Sequence, residues 1–157
     1  MLLTLACDIG VTILLYVLLK PVSKPIALIA AAFRLAFVVV MAITSLNYFG
    51  ILALFQAPRS AAAFNYGYSV SLIPFGAHCL LIGTLIFRST FLPRALGVLM
   101  ALAGLAYLVF LSPDLGSRLF IPWLVVPAVL GEASLTLWLL IMAVNSARWK
   151  QQATTQP

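Results

Sequence analysis

Long apolar runs broken by short clusters of prolines and basic residues divide this chain into five segments. An α-helix needs about 20 residues to cross the hydrocarbon core of a bilayer. Read with that window, the segments cover residues 2–19, 26–49, 66–87, 95–111 and 120–144. Lys20, Pro21, Lys24 and Pro25 stop the first. Apolar residues continue past Phe49 to Phe55, so the second is expected to tilt, to break near Gly50 or to finish in the interface. Residues 56–65, with Pro58 and Arg59, read as a loop. The predicted fold is all-α, a polytopic transmembrane helical bundle of five spans. It forms one domain over residues 1–150, followed by a polar tail, 151–157, expected to be disordered.

Composition strengthens this reading. Apolar residues make up 64% of the chain and charged ones 8%, more apolar surface than a soluble domain of this length could hide in one core. The net charge of +6 comes from basic residues at segment ends, not from a stripe interleaved with aromatics, which excludes a nucleic-acid partner. The lipid bilayer is the expected partner. If the spans alternate, Lys20, Lys24, Arg88, Arg94, Arg148 and Lys150 share one side and Arg59 and Arg118 the other. The positive-inside rule then puts the N-terminus outside and the C-terminus in the cytoplasm. Trp123 and Trp149 fit interfacial anchors, and Trp138 a packing residue. No basic stretch precedes the first apolar run, so that span is expected to stay in the mature protein. Cys7 and Cys79 fall in apolar segments and are expected to be free, buried thiols.

Four ionisable residues interrupt the apolar runs, each on a different segment: Asp8, Arg34, His78 and Glu132. A charge at bilayer depth costs about 2.5–3.5 kcal/mol on insertion scales, so such residues face inward and have partners. At a rise of 1.5 Å per residue they lie about 15–18 Å from the basic or terminal end of their segments, and all four fall near mid-bilayer. Helical phase puts Asp8 on a face with Thr12 and Leu15, and Arg34 with Ala27, Ala30, Ala31, Met41 and Ser45. His78 shares a face with Ser71, Pro74 and Ile82, and Glu132 with Ala128 and Thr136. Thr12, Ser45, Ser71 and Thr136 are thus secondary site candidates. Pro74 and Pro127 free backbone carbonyls one turn before His78 and near Glu132. Two carboxylates against one arginine balance only if His78 is protonated or a carboxyl keeps its proton. His78 is therefore expected to titrate together with a carboxylate.

The stretches Ala6-Cys7-Asp8-Ile9-Gly10, Ala31-Ala32-Phe33-Arg34-Leu35, Phe75-Gly76-Ala77-His78-Cys79 and Pro127-Ala128-Val129-Leu130-Gly131-Glu132 resemble, in order, a bacterial multi-pass membrane family, domain of unknown function 4386. So do Leu92-Pro93-Arg94-Ala95-Leu96-Gly97 and the run from Leu14 to Pro21. The resemblance implies a helical protein of a bacterial cytoplasmic (inner) membrane whose signature polar positions are Asp8, Arg34, His78 and Glu132, and it implies no activity. Members of that family usually carry a further N-terminal membrane segment before the stretch matching Asp8, almost at which this sequence starts.

Three functions fit these residues. The first is binding or transport of a proton-coupled small or amphipathic ligand, with Arg34 meeting the ligand and His78 and the carboxylates exchanging protons. The second is a helper subunit whose buried charges fix helix packing. The third is an intramembrane enzyme using His78 and Glu132 as acid and base on a lipid-like substrate. No cofactor is expected. A single histidine speaks against haem, and Arg34 at the depth of His78, Asp8 and Glu132 would repel a metal ion. Gly97, Ala101 and Gly104 offer a small-residue face for a homo-oligomer.

Overall fold

The computed structural model describes residues 2–49, 60–111 and 122–154, with the side chains of Leu2 and of residues 122–125 excepted. The elements are α1 (Leu2–Leu19), α2 (Lys24–Tyr48), α3 (Ala61–Arg88), α4 (Arg94–Leu108), a single 3₁₀ turn (Val109–Leu111), α5 (Pro122–Ile141) and α6 (Ser146–Thr154). The described residues contain no strand.

The boundaries follow from local chemistry. Ser23 is extended at the start of α2, where proline in the first turn costs no hydrogen bond because those N–H groups have no helical acceptor. α3 begins five residues earlier than the expected loop allows. The Ser60 hydroxyl accepts from Ala63 N at 3.1 Å, and this cap lets residues 61–65 wind into helix. α2 ends at Tyr48, and the continuation expected towards Phe55 lies outside the described residues, as do Arg59 and Arg118.

The chain threads a row of neighbours, with α1 against α2, α2 against α3, α3 against α4 and α4 against α5. α3 is the centre, and its buried residues, including Ser71, Phe75, His78, Cys79 and Ile82, face both flanking helices. The main core joins Leu15 and Leu19 of α1 to Ile86 of α3, Met100 of α4 and Leu135 of α5, with Trp138 packed against it. Large apolar side chains cover the outside: Leu14 is 70% exposed and Leu140 76%, as a lipid solvent permits.

Glycines set the closeness of α3 and α4. A Cβ on Gly76 would lie 2.9 Å from the carbonyl oxygen of Gly104, and one on Gly83 would lie 2.8 Å from that of Gly97. The two backbones touch where a side chain would hold them apart. The stripe Gly97, Ala101 and Gly104, expected to offer a face to a second copy, is therefore consumed inside the chain by α3.

The tail differs from expectation as well. α6 carries the chain in helix to Thr154, leaving α5 with a 104° bend through Ala143, whose φ of 52° is left-handed. Side-chain hydrogen bonds order it. Asn145 Oδ1 caps Arg148 N at 3.1 Å, the Trp149 indole N–H donates to the Leu18 carbonyl at 2.9 Å, and Gln152 Oε1 accepts from Thr90 N and Oγ1 at 3.1 and 3.0 Å. Trp149 is thus a tether between α6 and α1, while the side chain of Trp123 lies outside the described residues.

By length and composition, among the described residues, α2, α3 and α4 with its 3₁₀ extension can each cross a membrane, and the bent pair α5–α6 brings the number to four. α1 is apolar but shorter, so this criterion does not reach the five spans expected. The chain is a helical protein of membrane type.

Candidate functional site

One side chain from each of α1, α2, α4 and α5, and two from α3, build a polar and aromatic row across the bundle. Arg34 Nη2 lies 2.6 Å from Asp8 Oδ1, an ion pair in which the two side chains are only 12% and 17% exposed. At that length and burial it is a strong charge-assisted bond. The other terminal nitrogen, Nη1, lies 3.2 Å from Nε2 of His78, which is 1% exposed. The guanidinium carbon sits 5.3 Å from the centre of the Phe75 ring, and Arg34 Nε is buried without a hydrogen-bond partner.

The chemistry of its partners fixes the tautomer of His78. Nδ1 is 2.8 Å from the main-chain carbonyl of Ala30, which can only accept, so Nδ1 carries the proton. Arg34 can only donate, so Nε2 offers its lone pair. A second proton on His78 would set N–H against guanidinium. The expected pairing of His78 with a carboxylate is therefore replaced by one with Arg34. The reason lies in position: α2 packs between α1 and α3, so Arg34 reaches the histidine and the aspartate at once, and each takes one of its terminal nitrogens.

Glu132 sits apart from this triad. Its Oε1 accepts from the hydroxyl of Tyr107, and no ion pair joins it to Arg34. Phe75 bridges the two halves, with its ring under Arg34 on one side and edge-on to Tyr107, 5.1 Å between centroids, on the other. Glu132 is half-buried and lines a groove of about 470 Å³ on the outer side of α4 and α5, with Tyr107, Val129, Ala133, Thr136 and Leu137. His78 and Glu132 thus bond to different partners.

The secondary candidates do not join the row. Thr12, Ser45, Ser71 and Thr136 donate to the carbonyls of Asp8, Met41, Tyr68 and Glu132 in their own helices. Thr12, Ser45 and Ser71 are buried as helical phase predicts, whereas Thr136 is exposed on the groove side. Cys7 is exposed, contrary to expectation, because it stands on the outer side of α1; Cys79 is buried, and both thiols are free. Among the described residues no group of three His, Cys, Asp or Glu side chains could hold a metal.

Sequence reasoning missed Tyr107 and Phe75. Both leave a signal: Tyr107 carries the one hydroxyl in α4, and Phe75 precedes His78 by three residues and so shares its face.

An uncharacterized protein of the archaeon Archaeoglobus fulgidus is 28% identical over 134 residues, covering 85% of this chain and 75% of its own length, so the similarity is not a specifically bacterial one. No solved structure matches. Residues 1–143, which contain every member of the row, match the family described as a domain of unknown function, DUF4386, and the chain belongs to that family.

Proposed function

We propose that this protein binds a small amphipathic ligand from the lipid phase, with the Tyr107–Glu132 pair receiving the ligand's polar group. Asp8, Arg34 and His78 hold α1, α2 and α3 in register beneath that site. The observation that carries this reading is the groove at Glu132. Its walls are apolar, and two polar groups converge at one point, the usual make-up of a small-molecule site. Arg34 is taken up by Asp8, so among the described residues Glu132 has no cation against it and is the carboxyl left to exchange a proton with a ligand.

The reading includes a bacterial cytoplasmic membrane with the C-terminus inside. Its support is that the α3–α4 turn and α6 meet at one end of the bundle, bringing Arg88, Arg94 and Arg148 together.

A second reading, a helper subunit whose charges only fix packing, is favoured by the engagement of both terminal nitrogens of Arg34 within the chain. Photo-crosslinking separates the two. A diazirine-bearing long-chain alcohol, added to the purified protein in lipid nanodiscs, should attach to α4 and α5 around Val129 and Leu137. Loss of one hydrogen bond in Glu132→Gln or Tyr107→Phe should lower that yield about fivefold. Labelling spread evenly over the exposed apolar faces, and unchanged in both variants, would leave the helper reading standing.

A further inference from the structure

At the end of the bundle away from the proposed ligand groove, the α3–α4 turn and α6 enclose a second groove of about 630 Å³. Its lining includes Arg88, Arg94 and Arg148 and no carboxylate. All three arginines are exposed. Arg148 Nη1 reaches the Thr90 carbonyl at 3.4 Å and the Arg94 guanidinium stacks 5.8 Å from the Phe87 ring centre, so two of the three cations are steadied by light contacts that leave most of their N–H groups free. Arg94 also opens α4, so the unpaired N–H groups of that helix's first turn add to the positive field.

This groove is continuous with an apolar one. Phe87 and Arg88 also line a trough of about 500 Å³ along the outer seam of α3 and α4, walled by Val98, Ala101, Leu102 and Leu105. Its floor is the Gly83–Gly97 contact, where side chains are missing from both helices. A cluster of cations thus stands at the mouth of a channel shaped for hydrocarbon. A free phosphate would use only the first half of this surface and a neutral lipid only the second. An anionic phospholipid uses both.

We infer that Arg88, Arg94 and Arg148 form a site for the phosphate headgroup of an anionic phospholipid, one acyl chain of which lies in the α3–α4 trough. Basic pockets between membrane helices recognise such headgroups through charge, at about 1 kcal/mol for each arginine near the surface, or about fivefold in affinity. The site is independent of Glu132 and involves a different face of the bundle.

Native mass spectrometry of the full chain in a neutral detergent tests this, with phosphatidylglycerol, phosphatidylcholine and inorganic phosphate as probes. Phosphatidylglycerol should be retained preferentially, and the preference should fall about fivefold in R88Q, whose guanidinium makes no hydrogen bond within the described structure. It should vanish in R88Q/R94Q/R148Q. K20Q/K24Q removes two cations that do not line the groove and should keep the preference. V98W, which fills the trough from an exposed position, should weaken phosphatidylglycerol binding while leaving the arginines intact. Equal retention of the two lipids would overturn the inference, as would full competition by inorganic phosphate at the same concentration. A loss in K20Q/K24Q as large as in R88Q would overturn it too, by showing that total charge and not this site is responsible. Should the triple variant fail to fold, R88Q and V98W still decide the matter.

Discussion

Arg34 donates to His78 Nε2 across 3.2 Å while its other terminal nitrogen holds Asp8 at 2.6 Å, so one guanidinium ties three helices together. The arrangement uses arginine for what lysine could not do, since a planar fork can serve two acceptors at a fixed angle. It also makes the histidine an acceptor, which sets how each member of the triad responds to substitution.

Removing one charge of the buried pair should cost more than removing both. Asp8→Leu leaves a guanidinium that cannot neutralise itself, and breaking such pairs typically costs about 3–5 kcal/mol. The double variant Asp8→Leu/Arg34→Leu should be more stable than Asp8→Leu alone, and Asp8→Asn, which keeps an acceptor oxygen, should lie between Asp8→Leu and wild type. Unfolding of these proteins and of Arg34→Leu in the same lipid gives the ranking and closes the double-mutant cycle. Additive costs for the two single changes would show that the charges do not interact.

For His78 the expected protonation state is Nδ1–H with a bare Nε2, readable directly from imidazole ¹⁵N shifts. His78→Leu should lower stability by about 1–3 kcal/mol, because it strands an arginine donor. His78→Gln can return an oxygen to the Nε2 position and should recover part of that loss. A bare Nδ1 and protonated Nε2 would reverse the assigned roles.

The glycines give a test with an internal control. Gly104→Ala brings a Cβ to 2.8 Å from the Gly76 carbonyl and from Leu80 N, backbone atoms that cannot step aside, and should cost about 1–3 kcal/mol by overpacking. Gly10→Ala meets nothing within 4 Å and should be neutral or stabilising by up to about 1 kcal/mol through helix propensity. Thermal unfolding of both variants in one detergent measures the contrast.

A lipid-soluble carbodiimide, which adds to protonated carboxyl groups, should modify Glu132 in its groove well before Asp8, which is bound to Arg34. Peptide mass spectrometry locates the adduct. Tyr107→Phe keeps the ring against Phe75 but frees the carboxyl, and labelling should become faster. Preferential modification of Asp8 would mean that the two carboxyl groups have been assigned opposite exposures.

Much of the row is legible in the sequence because polarity in an apolar helix is conspicuous. Asp8, Arg34 and His78 stand out by type, and their common level and inner faces follow from rise and phase along their own helices. Hydropathy likewise marks the helices themselves, and proline with basic residues marks the turns at Lys20–Lys24 and Arg88–Arg94. Phase describes a helix only about its own axis, however. Which helix stands beside which, and at what rotation, depends on contacts between residues far apart in sequence, such as Gly76 with Gly104 and Gly83 with Gly97. That packing gave Arg34 to Asp8 and His78, and Glu132 to Tyr107, an aromatic hydroxyl that polarity scanning passes over. The stripe of Gly97, Ala101 and Gly104 looked the same whether it met a second copy or its own chain. Only the tertiary structure could give it to α3, because a small-residue face specifies close approach and not the identity of the helix that approaches.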